Sequence, residues 1–110
     1  MMIDIHSEKE MDREVGEYPG YVLVDFYANW CRPCKIMATV LERLEPDMEG
    51  KVKFCRLDTE ALEDLTEPFQ LVGVPTFILF KGGEEKGRIV GYHDRAAFKE
   101  KLESILEKDR

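Results

Sequence analysis

The sequence predicts an α/β fold: a central mixed β-sheet of parallel strands plus a C-terminal antiparallel hairpin, flanked by helices on both faces. Three observations carry this. YVLVDFY at 21–27 is nearly all β-branched or aromatic, and a continuous apolar run of that length suits a strand covered on both faces. Strand-like and helix-like segments alternate before and after it, which argues for parallel pairing through crossover helices. TFILF (76–80) and KGRIV (86–90) flank the glycine-containing KGGEE, the pattern of a hairpin.

The elements follow in the order β-α-β-α-β-α-β-β-α. Ile3–Ile5 alternates apolar and polar residues and reads as a short edge strand. Ser7 and Glu10 have capping-box spacing, which predicts a helix over about 8–15. Tyr18-Pro19-Gly20 is a turn into the 21–27 strand. Met37, Val40, Leu41, Leu44 and Met48 recur on one helical stripe, which Pro46 ends or distorts. VKFCRLD (52–58) is a further strand, and ALEDLTEPF a short helix or turn interrupted by Pro68. Asp94 caps a last helix whose Phe98, Leu102, Ile105 and Leu106 share a face.

With 110 residues and no repeat, linker or low-complexity tract, one domain over residues 1–110 is expected. No apolar run approaches a membrane span, and the charged opening MMIDIHSEKE does not read as a signal peptide. A formal net charge of −7 argues against a nucleic-acid partner. Three cysteines, an odd count, do not suit a secreted disulfide framework. The expected compartment is a reducing cytoplasm, where a close cysteine pair is catalytic or metal-binding more often than structural.

That pair is Cys31 and Cys34, in WCRPCK. They stand where the 21–27 strand gives way to the Met37 helix, and i, i+3 spacing on a first helical turn brings both sulfurs to one side, permitting a disulfide. A helix N-terminus favours thiolate through its unpaired N–H groups and dipole. Pro33 fits early in a helix because its missing N–H needs no partner there. Zinc binding and an inert structural pair are the alternatives. Zinc requires two more ligands, and Cys55, His6 and His93, the remaining Cys and His residues, form no second close pair. No metal is expected. Asp25, the one charge inside YVLVDFY, is either at a frayed strand end or buried; burial raises its pKa and poises it for proton exchange. Cys55 reads as a small buried hydrophobe within its strand.

VDFYANWCRPCK, together with GVPTF at 73–77 and VGYHDRAAFKEKL from residue 90, resembles the thioredoxin family over essentially the whole chain. The resemblance implies a thioredoxin fold and a protein dithiol–disulfide oxidoreductase. Cys31 is then the attacking thiolate, Cys34 the resolving thiol and Asp25 a buried proton acceptor for Cys34. Pro75 is implied to be cis, exposing the backbone of Val74 to an extended substrate. Trp30, Val74, Gly91 and Tyr92 would form an apolar platform around the thiols, with Gly91 allowing close approach of the substrate backbone. The bland readings are a core tryptophan at Trp30 and a simple strand-end turn at Gly91. No cofactor is expected beyond the Cys31–Cys34 disulfide itself. The implied partners are disulfide-containing client proteins and a thioredoxin reductase as electron donor, for a chain expected to be a monomer.

Three departures from the family pattern stand out. Arg32 replaces the usual glycine between the cysteines; a cation there favours the Cys31 thiolate and hence the reduced form, unless solvent screens it. The lysine that usually accompanies the buried aspartate is absent, with Phe54 and Ala38 at its two positions, so Asp25 is expected to lack a cationic neighbour. Thr39 stands where a kinking proline is common, so a straighter helix is expected. Competing functions are a disulfide isomerase or glutathione-linked oxidoreductase tuned by Arg32, and a binding module that uses the groove without turnover.

Overall fold

The structure is a computed structural model, and it describes residues 2–110. Five strands form one sheet: β1 (Ile3–Ile5), β2 (Tyr21–Tyr27), β3 (Val52–Asp58), β4 (Thr76–Lys81) and β5 (Glu84–Val90), in the spatial order β1-β3-β2-β4-β5. β1 and β2 both pair parallel with β3, whereas β4 runs antiparallel to β2 and to β5. The mixed sheet and the terminal hairpin are as the sequence predicts.

The helices are α1 (Glu8–Met11), α2 (Arg32–Leu44), α3 (Glu63–Thr66) and α4 (Arg95–Asp109). The helical coil that starts at Glu8 runs to Gly16, close to the span the capping signal predicts, but only Glu8–Met11 of it is α-helix. Ser7 does cap it, its Oγ accepting from the Glu10 N–H at 3.1 Å, and the Glu10 carboxylate accepts from the His6 N–H at 2.9 Å. The coil then widens into a π turn over Asp12–Gly16, which sets Val15 into the core. α2 runs without interruption to Leu44, and Pro46 converts its end into a 3₁₀ turn, Glu45–Met48. α3 likewise gives way to a 3₁₀ turn, Glu67–Phe69, that contains Pro68.

Residues alternate between the two faces of the sheet. On one face Leu23, Phe54, Phe77 and Leu79 pack against Met37, Leu41 and Leu44 of α2 and Phe98 and Leu102 of α4. On the other, Val22, Val24, Phe26, Cys55, Leu57, Ile78 and Phe80 lie beneath Val15, Leu62 and Phe69. β2 is therefore buried on both sides from Val22 to Phe26. Phe77 and Phe98 meet edge to face at 4.9 Å between ring centroids, fixing α4 over the hairpin.

α4 lies so close to β5 that a Cβ on Gly87 would stand 2.8 Å from Cγ2 of Ile105. Gly87→Ala should therefore lower the unfolding free energy in urea by about 1–3 kcal/mol, the usual cost of overpacking. Adding Ile105→Ala should cost less in that background than in the parent, a double-mutant cycle that isolates the clash.

Candidate active site

The sheet brings three chain ends to one place. Phe26, Thr76 and Val90 are successive partners across β2, β4 and β5. Because β4 is antiparallel to its neighbours, the C-terminal ends of β2 and β5 and the N-terminal end of β4 meet at the same edge. The Ala28–Cys31 loop, the Val74–Pro75 peptide and Gly91 follow from those three ends. The Val74–Pro75 bond is cis, and the Gly91 N–H donates to the Pro75 carbonyl at 2.9 Å. Gly91 has φ +84°, a conformation that favours glycine.

Cys31 and Cys34 are disulfide-bonded, with Cα atoms 5.3 Å apart. Cys31 is also the N-cap of α2: its Sγ accepts from the Cys34 N–H at 3.2 Å. Sulfur thus takes the place of the usual oxygen cap, and Pro33, early in the first turn, removes an N–H that would otherwise need a partner. The first turn of α2 thus presents an N–H group and the positive end of its dipole to the Cys31 sulfur. The Val74 carbonyl lies 3.7 Å from Cys31 Sγ. Both cysteines are buried, in a cluster with Ala28, Tyr27 and Val74. Arg32, between them, is exposed.

Around the buried sulfurs the surface is apolar and open. Trp30 is 69% exposed, which overturns the core reading of this residue, and Tyr92 is 56% exposed. The Trp30 indole N–H donates to Glu60 at 2.9 Å, while Asp58 accepts from the Asn29 amide and from the backbone N–H groups of Glu60 and Ala61. The loop after β3 thus braces the tryptophan. Val72, two residues before Val74, is an 86% exposed apolar side chain, and sequence reasoning missed it. Its signal is an apolar residue in a glycine-containing loop, outside any periodic pattern. A cavity of about 420 Å³ opens at the opposite end of the sheet, between Tyr18, Pro46 and Lys51, and holds neither cysteine.

Asp25 is fully buried in the middle of β2. By alternation it shares its face with Leu23, the face covered by α2, on which Cys34, Met37, Leu41 and Leu44 are the buried residues. Its register partners are Phe77 on β4 and Arg56 on β3. The expectation that Asp25 lacks a cationic neighbour is wrong. Arg56 Nε lies 3.5 Å from Asp25 Oδ2, an ion pair at the outer limit of hydrogen-bond distance. The period of two explains this: Arg56 is two residues beyond Phe54, so it returns to the same face. Burial pushes the Asp25 carboxyl up to about 7, against the opposing pull of Arg56. Cys55, on the other face, is also pushed up by burial, to about 11, and lies away from the pair.

The Asp25 carboxyl sets a pH dependence of stability. Unfolded, it ionises near its ordinary 3.8, whereas folded it keeps its proton until about 7. The unfolded state binds fewer protons in that window, so stability falls as pH rises through it. The loss is at most roughly 4 kcal/mol. Asp25→Asn should flatten this slope and be more stable than the parent at pH 8, as read by urea denaturation at pH 4, 6 and 8.

The thioredoxin family model matches residues 2–104. A thioredoxin from Staphylococcus aureus (strain Mu50) is 39% identical over 102 residues, 93% of this chain and 92% of that protein. A thioredoxin from Staphylococcus saprophyticus is 40% identical over 89 residues, 81% of this chain and 82% of that protein. A bifunctional thioredoxin reductase/thioredoxin from Mycobacterium leprae is 40% identical over 85 residues, 77% of this chain but only 19% of that longer protein. With its bridged Cys31–Cys34 pair at the start of α2, the chain belongs to the thioredoxin family of dithiol–disulfide oxidoreductases.

Proposed function

We propose that this protein reduces disulfides in client proteins, with Cys31 as nucleophile and Cys34 as resolving thiol. The observation that carries the reading is the position of Cys31 as the N-cap of α2, where the Cys34 N–H already points at its sulfur. The Cys31 thiolate attacks one sulfur of the client disulfide, forming a mixed disulfide and releasing the first client thiolate. Cys34 then gives its proton to the Asp25 carboxylate and attacks Cys31 Sγ. The second client thiolate leaves, the Cys31–Cys34 bond forms, and two electrons have passed to the client. Asp25 and Cys34 both lie in the layer between the sheet and α2, and burial holds the carboxyl near neutral pH, where it both takes and gives a proton.

The exposed Trp30, Val72 and Tyr92 offer apolar contact to a client, and the Val74 backbone beside Cys31 suits pairing with its extended chain. The thiol pair is the only redox carrier this chemistry needs, so no further cofactor enters. A thioredoxin reductase is the proposed electron donor; the Mycobacterium leprae relative, whose name joins both activities, supports it. We place the chain, as a single-domain monomer, in the cytoplasm; none of its described helices is long and apolar enough to cross a membrane.

Reduction of insulin with a thioredoxin reductase, and separately with glutathione, tests this function. Activity is expected with the reductase, abolished in Cys31→Ser, while Cys34→Ser should trap the mixed disulfide. Activity with neither donor would favour a binding module. Arg32 is exposed, so its influence on Cys31 is a screened charge effect. Arg32→Gly should raise the pH at which thiolate absorbance at Cys31 appears, and equal midpoints in the two proteins would remove Arg32 from redox tuning.

A further inference from the structure

Arg32 and Lys35 each follow one of the active cysteines directly, on the first turns of α2, and both are exposed. With Ile36, 43% exposed, they make one facet, since positions three and four apart are neighbours on a helix surface. The opposite face holds the buried Cys34 and Met37. A cation is the wrong charge for this place, because the positive end of a helix dipole favours acids. α2 nonetheless has no acid in its first turn, and none before Glu42.

These cations are also without carboxylate partners. In a chain with 23 acidic and 16 basic residues, surface cations find acids readily. Lys53 pairs with Glu14, Lys86 with Glu84 and Asp109, Arg88 with Glu85, and Arg95 with Asp47. Among the described residues, neither Arg32 nor Lys35 meets one. The acids of the loop after β3 are held elsewhere, Glu60 by the Trp30 indole and Asp58 by Asn29 and two backbone N–H groups. The rim of the active pair thus carries two unpaired positive charges on a molecule of net charge −7. They serve neither the helix nor a surface ion pair, and both are open to a molecule that docks at Cys31.

We infer that Arg32, supported by Lys35, determines client specificity: it takes the carboxylate of an acidic residue flanking the client's reactive cysteine. This rests on the client-reducing function proposed above. Consecutive Cα atoms are about 3.8 Å apart, so Arg32 stands next to the sulfur that joins the client in the mixed disulfide. A residue beside the client cysteine then comes within its reach. The planar guanidinium offers a carboxylate two parallel N–H donors, and Lys35 adds a point charge. The same two cations repel a basic flank, and discrimination draws on that repulsion as well as on the attraction.

The test uses reduced protein and three disulfide-linked peptide dimers, alike except for Glu, Gln or Lys on both sides of the cysteine. Released peptide thiol is read by chromatography in single turnovers. Flanking charge alters the peptide's own reactivity and Arg32 alters that of Cys31, so the quantity compared between proteins is the ratio of Glu-peptide to Lys-peptide rates, in which both effects cancel. Arg32→Gln should lower this ratio about threefold, within what one exposed charge pair supplies. Arg32→Lys should keep most of it, Arg32→Glu should lower it further, and high salt should shrink it in the parent. Lys108→Gln makes the same change of net charge at the far end of α4, on an exposed side chain, and should leave the ratio unmoved. An equal fall in Lys108→Gln reduces the effect to net charge and overturns the site. Equal ratios in the parent and Arg32→Gln, with the Gln peptide reduced by both, overturn the inference and leave the reductase function standing. A fall with Lys35→Gln but not with Arg32→Gln overturns the assignment to Arg32. No reduction of the Gln peptide by the parent overturns the client-reducing function itself, and the inference with it.

Discussion

Everything at the active edge depends on β2 having no free face. From Val22 to Phe26 every side chain is buried, alternating between the α2–α4 layer and the α1–α3 layer. Such a strand tolerates no slip, since moving it by one residue would exchange the two layers. Its partners therefore hold a single register, and that register brings the ends of β2, β4 and β5 together. The loop bearing Trp30 and Cys31, the Val74–Pro75 peptide and Gly91 are neighbours for that reason, although more than 40 residues separate the first from the second.

Much of this is written in local pattern. The apolar run of β2, the hairpin signal around KGGEE and the caps at Ser7, Cys31 and Asp94 each arise from contacts within a few residues. The sequence elements that local pattern misplaces are those decided by distant packing. Capping chemistry starts a helix at Glu8 but does not say how it continues, and the π turn at Asp12–Gly16 is fitted to the face it covers. β5 begins at Glu84, two residues earlier than its apolar pattern, because the register irregularity at Leu79/Phe80 lets the charged Glu84 and Glu85 join the ladder.

The site divides in the same way. The cysteine pair, the proline and the buried aspartate are legible because each is an anomaly against its surroundings. Arg56 is not, because a charged residue on a strand carries no mark of its partner until the register is known. Glu60 and Val72 are equally silent: one is an acid among several acids, the other an apolar residue in a loop. What makes Glu60 part of the site is the folded path of the chain after β3, which lays it against Trp30.

The placement of Cys55 bears on how the molecule survives its own chemistry. A protein that alternates between dithiol and disulfide is repeatedly exposed to wrong pairings, and a third thiol is the nearest candidate. Here the sheet stands between them, with the active pair in the cluster at the start of α2 and Cys55 packed in the opposite layer. Burial also keeps Cys55 protonated far above neutral pH, so it is neither nucleophile nor leaving group. The strands that carry the chemistry thus also act as its insulation, and each turn of the cycle returns the chain to the same pair of sulfurs.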